Sequence, residues 1–310
     1  MPLPDRDIRL RIAVPRVGNW HLAGLLSEAT GLAPAVAAAL VRHGSCRLDG
    51  KVIRIPELPL LPGALLVVTY IPTPAAPRPV VRHLDDHLIV VEKPAGVPSQ
   101  PTREGAENSL VEQVARMTGS SDLHVVHRLD IGVSGLLALA RGRKAAADLT
   151  RAFAAGSVKK LYLAAPEVTD SGLAWLLASR HKEPLVAPLR WVSRRRQALV
   201  ANDGQPCRTD VLHAALTQEQ WLLLLRLHTG RTHQIRAHLA HVGLPLMGDS
   251  KYGAPTHSRR IGLHCIHLSL PHPSLGTIHR FWADPPPDFL DLTGIDWNKE
   301  SADFWRGKAG

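Results

Sequence analysis

The run His127-Arg128-Leu129-Asp130-Ile131-Gly132-Val133-Ser134-Gly135 places one carboxylate, Asp130, between two candidate strands. Before it, His124-Val125-Val126 reads as the end of a short strand. After it, Leu136 to Ala140 is an apolar run short enough to be a buried strand. Asp130 therefore falls in a loop between two core elements, with a cation at Arg128 and glycines at Gly132 and Gly135. Glycine permits backbone conformations that other residues avoid, and it lets a ligand approach closely. A carboxylate on a loop held by rigid elements is a candidate nucleophile or general base. Taken alone, the same nine residues also fit an Asp that caps a turn and pairs with Arg128.

Working outward, Leu88-Ile89-Val90-Val91 has a buried-strand pattern, stopped by Pro94 and Gly96. Ser109 with Glu112 three residues on reads as a capping box opening a helix over 109–117. Residues 143–155 predict a helix with Ala145, Leu149 and Phe153 on one face, closed by Gly156. In Val158 to Ala164 the alternation predicts a strand with Lys160 and Tyr162 on one face, Leu161 and Leu163 on the other. Residues 180–203, with Arg194-Arg195-Arg196, read as surface strands or a loop whose cations are solvated. Trp221 to Leu227 predicts a further strand. Gly230 then breaks the chain, Thr232 is placed to cap the next helix, and Ile235, Leu239 and Val242 form that helix's buried stripe, with Arg236 off it.

Towards the N-terminus, residues 20–43 predict two short helices. The first stops at Thr30-Gly31; the second starts at Pro34 and stops at Gly44. Asp49-Gly50 between two short β-prone runs is a strong hairpin signal. This helices-then-hairpin layout resembles the S-four RNA-binding domain named for a ribosomal small-subunit protein, although Ala35 to Val41 lacks that domain's basic and hydroxyl residues. Residues 71–80 are a proline-rich connector. The expected organisation is thus a small domain over 1–75, a larger domain over 76–284, and a loosely packed tail over 285–310 opening with Pro285-Pro286-Pro287.

The composition narrows the class. At 45% hydrophobic and 21% charged, the 310 residues suit a globular chain with a real core. There are 37 Lys and Arg against 27 Asp and Glu, a formal charge of +10, which suggests a polyanionic partner such as nucleic acid. Cys46, Cys207 and Cys265 are odd in number and far apart, so neither a disulfide framework nor a C-x-x-C zinc site is indicated, and a cytoplasmic location is expected. The N-terminal residues lack a signal-peptide core, and Pro59, Pro62 and Gly63 break the most apolar early stretch, so no membrane span is expected.

Several motifs agree in order and spacing. They are Val90 to Gly96, His127 to Gly135, Lys160-Leu161-Tyr162-Leu163-Ala164, Thr229-Gly230-Arg231-Thr232-His233-Gln234-Ile235-Arg236, and Leu246 to Gly253. Together they cover about residues 84–270, and in this order they resemble the RluA-type pseudouridine synthases. The resemblance implies an α+β fold: a mixed, mostly antiparallel central sheet with flanking helices and a central cleft, here preceded by the small helix–hairpin domain. It implies isomerisation of uridine to pseudouridine in ribosomal or transfer RNA, without cofactor or metal, by a monomer. It implies Asp130 as catalytic nucleophile, Tyr162 stacking on the base and Arg236 paired with Asp130. Arg128 would enter the RNA stack where the base left, and His127, Arg231, His233 and Gln234 would lie at the RNA. One departure is Val133, where the family usually has Thr.

The chemistry of these residue types fits those roles. Carboxylates act as nucleophiles at sugar carbons. A guanidinium nearby favours their charged form, and a bidentate pair fixes their orientation. Extruding a base costs a few kcal/mol, and an aromatic face returns roughly 1–3 kcal/mol by stacking. The competing expectation is an RNA-binding protein on the same fold that has lost catalysis, with Val133 as its hint. A metal reading of His228, His233, His238 and His241 is disfavoured, because no carboxylate or cysteine at ligand spacing joins them.

Overall fold

The computed structural model describes residues 8–70, 77–101, 109–178, 184–253 and 260–308. It divides into two compact units, one of Met1–Ala76 with Gln100–Thr118 and one of Pro77–Ser99 with Gly119–Gly310. The proline-rich connector lies, for residues 71–76, outside the described residues.

In the first unit, β1 (Ile8–Ala13), β4 (Leu65–Tyr70), β2 (Cys46–Leu48) and β3 (Lys51–Ile53) form one antiparallel sheet in the order β1-β4-β2-β3. Helices α1 (Leu22–Thr30) and α2 (Pro34–His43) end at Gly31 and Gly44, both in the left-handed conformation that glycine adopts without penalty. Asp49 and Gly50 both have positive φ, as a two-residue hairpin turn of this twist requires. Leu22, Leu26, Leu40, Val41, Leu66 and Val68 close one core between helices and sheet. The unit also takes in α3 (Leu110–Thr118). Ser109 is buried, but its hydroxyl has no hydrogen-bond partner among the described residues, so the expected capping box with Glu112 does not form.

The second unit is built on a ten-stranded sheet. Its elements in chain order are β5 (Val80–Leu84), β6 (Leu88–Lys93), β7 (Leu123–Val125), β8 (Ser134–Arg141), α4 (Arg143–Ala154), β9 (Lys159–Ala164), α5 (Asp170–Ala178), β10 (Leu185–Val186), β11 (Leu189–Val192), β12 (Gln197–Val200), β13 (Arg208–Thr217), β14 (Gln220–Leu227), α6 (Gln234–His241), β15 (Leu263–Pro271), β16 (Ile278–Trp282), α7 (Pro287–Thr293) and α8 (Lys299–Gly307). The main order is β10-β13-β14-β9-β15-β8-β6-β5, with β7 on β8 and β16 on β15. Every pairing is antiparallel except β8 with β15. This is the mixed, mostly antiparallel sheet with flanking helices that the sequence implies.

Strands β11 and β12 stand apart as a hairpin, and Arg194, Arg195 and Arg196 are exposed at its tip. The alternation in β9 holds: Leu161 and Leu163 join Leu222, Leu224, Ile266 and Phe289 in a core on one face of the sheet. That core also corrects the expected loose tail. Residues 285–310 contain α7 and α8, and Phe289 and Trp305 of these helices, with Ile295 between them, are buried in the same core as the sheet residues just named. Among the described residues, no single helix is long and apolar enough to cross a membrane.

Candidate active site

One transverse row of residues forms the floor of the site. Lys93 on β6 pairs with Gly135 on β8, Gly135 with Cys265 on β15, Cys265 with Tyr162 on β9, and Tyr162 with Leu225 on β14. Gly135 is where β8 enters the sheet. A side chain there would put Cβ 2.4 Å from the backbone N and O of Cys265, and φ is +117°, so only glycine fits. The close approach inferred for this glycine is therefore that of a neighbouring strand. Tyr162 is buried, and its phenol is pushed well above its usual pKa, first by burial and then by neighbours that include Cys265 and Asp130.

Asp130 sits in the loop that feeds β8. Its Oδ2 accepts a hydrogen bond from Arg236 Nη1 at 2.7 Å. Its other oxygen, Oδ1, takes no hydrogen bond from any described residue, and the side chain is 28% exposed. Arg236 gives more to Asp249: Nε donates to Oδ2 at 2.6 Å and Nη2 to Oδ1 at 2.8 Å. The bidentate pair expected for Asp130 is thus formed with Asp249, and Asp130 takes a single bond from Nη1. Burial alone would lower the pKa of Arg236, but Asp249 and then Asp130 hold it above its ordinary value. The Tyr252 ring lies 5.1 Å from the guanidinium.

Helix α6 delivers Arg236 almost wholly buried, along with Gln234, Ile235, Ala237, His238 and Leu239, so the expected stripe is in fact most of the helix. Thr232 does not cap it. The N-cap is His233, in the left-handed region at φ 58°. Its ring is placed by Tyr252, whose hydroxyl lies 3.0 Å from Nδ1, and Nε2 stands 3.8 Å from Asp130 Oδ2. Burial chiefly lowers the His233 pKa, to about 4, so the ring beside Asp130 is neutral at physiological pH.

The segment after β6 clamps the Asp130 loop. Lys93 Nζ is buried and donates to the carbonyls of Pro94, Val97 and Ile131. Gly96 N donates to Ile131 O, while Ser99 Oγ donates to Leu129 O and accepts from Leu129 N. Burial, aided by the charge of Arg260, pulls the Lys93 pKa down to about 7. Val133 is buried, and its N–H donates to Asp130 O, so the loop closes without the hydroxyl that Thr would bring.

Two residues expected at the RNA are internal struts. His127 Nε2 accepts the N–H of Ala138, its ring packs 4.6 Å from Phe153, and burial drops its pKa to about 3. Gln234 is buried; it donates to Arg208 O and Thr209 Oγ1 and accepts from Thr229 Oγ1 and Arg231 N, closing the turn before α6. Arg128 and Arg231 are exposed, and neither guanidinium has a carboxylate partner among the described residues. The pairing of Arg128 with Asp130 does not occur. Sequence reasoning assigned no role to Asp249, Tyr252, Lys93 or Ser99; the signal available for the first two was their place in the quoted run Leu246 to Gly253.

The one described cluster with metal-ligand geometry is His83, Asp85 and His272, whose ligand atoms lie within 4.8 Å of one another. Its hydrogen bonds describe a brace. His272 Nδ1 accepts the N–H groups of Ser274 and Leu275, so the ring proton is on Nε2, which donates to Asp85 Oδ2 at 2.9 Å. Asp85 Oδ1 accepts from His87 N and Leu88 N, tying the β5–β6 turn to β15's end. His238, read above as a possible ligand with His241, instead meets Ala187 O, Thr209 Oγ1 and Cys207 Sγ.

A half-open carboxylate, held by a buried guanidinium at the start of an inner strand of the sheet, fits an enzyme, and comparison with known proteins says which kind. Residues 87–241 match the family described as RNA pseudouridylate synthase. The chain belongs to this family of isomerases that act on RNA. The ribosomal large subunit pseudouridine synthase D of Nitrosomonas europaea is 35% identical over 66% of this chain and 61% of its own length. The dual-specificity RNA pseudouridine synthase RluA of Escherichia coli strain K12 is 32% identical over 70% of this chain and 96% of its own. Among solved structures, human RNA pseudouridylate synthase domain containing 1 superposes with a TM-score of 0.58 at 21% identity, covering 77% of this chain and 98% of its own; this supports the fold alone.

Proposed function

We propose that this chain converts uridine to pseudouridine in ribosomal or transfer RNA, with Asp130 as the residue that acts on the sugar. The observation that carries the assignment is the asymmetry of that carboxylate: Oδ2 is held by Arg236 and Oδ1 is open. A carboxylate held at one oxygen, whose other oxygen meets no donor among the described residues, is suited to attack a sugar carbon. In that step Oδ1 bonds to C1′ as the C1′–N1 bond breaks, its electron pair leaving on the uracil. The base turns, C5 bonds to C1′ and displaces Asp130, and the proton lost from C5 is balanced by one gained at N1. Tyr162, on the floor of the site beside Asp130, supplies an aromatic face for the base. Arg128, exposed two residues away, fills the gap in the RNA stack.

The name of the Nitrosomonas relative, which refers to the ribosomal large subunit, supports ribosomal RNA as the substrate class. The three cysteines are free and buried, which supports a cytoplasmic setting. Intact Asp130 and Arg236, with a loop that closes normally around Val133, favour catalysis over the inactive binding protein. The test is to map pseudouridines in total RNA, by chemical labelling, from cells with and without this protein. Loss of one or more sites in the deletion is expected, restored by the wild-type chain; an unchanged map would contradict the reading.

A further inference from the structure

The β11–β12 hairpin is the part of the second unit that the catalytic geometry leaves without a task. It lies outside the ten-stranded sheet yet is fastened to the site. Leu189 and Ala198 share an apolar cluster with Cys207 and Ala237 of α6. The Tyr252 hydroxyl accepts the N–H of Ala198 at 2.8 Å while touching His233. The Gln197 side chain donates to Lys251 O. So the hairpin is held by the same turn, 248–253, that supplies Asp249 to Arg236.

This fastening brings Trp191 to the site. Its ring makes a T-shaped contact with His233, centroid to centroid 5.5 Å, and one edge of that imidazole is 3.8 Å from Asp130. A single ring therefore separates the indole from the catalytic carboxylate. Trp191 is 46% exposed, so part of its indole face is open to a ligand. A cavity of about 360 Å³ is lined by hairpin residues that include Arg190 and Trp191 and, beyond the hairpin, by Asp203, Gln205, Arg231 and Thr232. That volume lies in the range of sites for small organic groups, roughly 300–1,000 Å³. Arg190 is engaged with Asp203, but the Arg231 guanidinium has no carboxylate partner among the described residues.

An indole face, an unpaired guanidinium and an amide around an open cavity are the elements that bind a single unpaired nucleotide: stacking for the base, charge for the phosphate, hydrogen bonds for an edge. We propose that this cavity holds the nucleotide next to the target uridine, with its base on Trp191 and its phosphate on Arg231. The proposal rests on Asp130 marking the uridine site. It makes the hairpin a determinant of which uridines are accepted, because only a uridine whose neighbour can leave its own stack would seat both.

The test is a binding cycle, read by fluorescence anisotropy of a labelled RNA hairpin carrying one uridine in its loop. A second set of RNAs replaces the nucleotide on the 5′ or the 3′ side of the uridine by an abasic residue. Trp191→Ala should weaken binding of the intact RNA by roughly 5- to 100-fold, the worth of one stacked base. For one of the two abasic RNAs, wild-type protein should show a similar loss, and Trp191→Ala should lose little more. Trp191→Phe should restore most of the affinity, and it keeps the test open if the alanine variant misfolds. Equal losses for Trp191→Ala on intact and both abasic RNAs would overturn the proposal and leave Trp191 as a prop for His233. Binding is measured without turnover, so a failure here is distinct from a failure of the assignment of Asp130.

Discussion

Arg236 and Asp249 form a two-bond pair, at 2.6 and 2.8 Å, that is almost entirely buried. This pair fixes the guanidinium plane before any substrate arrives and leaves Nη1 directed at Asp130. Asp249 is therefore a positioning residue for the carboxylate of Asp130.

Asp249→Asn should keep RNA binding but lower the single-turnover rate by on the order of 10²-fold, because a misaimed guanidinium displaces Asp130. Asp249→Ala, which strands a buried cation, should also lower stability by about 3–5 kcal/mol in urea unfolding. A wild-type rate in the Asn variant would remove Asp249 from this role.

Acid should destabilise the protein through its buried neutral histidines. His264 Nε2 donates to Ala283 O, and its Nδ1 accepts from the Ser134 hydroxyl at 2.6 Å, so both nitrogens are committed in the neutral form. Burial drops its pKa from 6.5 to about 3. The unfolded chain then binds a proton below 6.5 that the folded chain refuses. The stabilisation is complete above about pH 6.5 and is lost as pH falls towards 3, on the order of 5 kcal/mol across the whole window. Urea unfolding across this range should show that decline, and His264→Gln should show a shallower one. Parallel slopes for the two proteins would contradict the assignment.

Arg128 is exposed and without a carboxylate partner among the described residues, which argues against a loop-shaping ion pair. If it fills the gap left by an extruded base, its value depends on whether the substrate is stacked. Arg128→Ala should slow single turnover on a structured stem-loop far more than on a short unstructured oligonucleotide with the same uridine, since unstacking costs a few kcal/mol in a stem and least in an open strand. An equal loss on both would assign it to the loop.

Much of the fold was legible because local signals and tertiary structure agree. Pro34 and Gly44 bracket α2, Asp49-Gly50 makes its hairpin, and the β9 alternation sorts Tyr162 from Leu161. The pairing of Arg236 with Asp130 followed from resemblance, since 106 residues separate them and no spacing rule could join them. Asp249 was illegible for a physical reason: in a Gly-Asp-Ser run it looks like any turn aspartate, and only the folded chain buries it against α6. Gln234 and His127, which the resemblance placed at the RNA, also serve the fold by bonding backbone groups of Arg208 and Ala138, a role no local spacing reveals. The C-terminal helices did carry signals. Pro287 and Gly294 bracket α7, and Asn298 caps α8 by accepting from Ser301 N at 2.9 Å, but each helix is too short for its periodicity to show.

The most direct measurement is single-turnover formation of pseudouridine by Asp130→Asn, on an RNA that the wild-type chain modifies, with RNA affinity and unfolding followed on the same preparation. Arg236 remains anchored by Asp249 in that variant, so fold and RNA binding should persist. Product should fall by about a thousandfold or more, as expected when a nucleophile is removed. Near-normal product from a folded, RNA-binding Asp130→Asn protein would contradict that role.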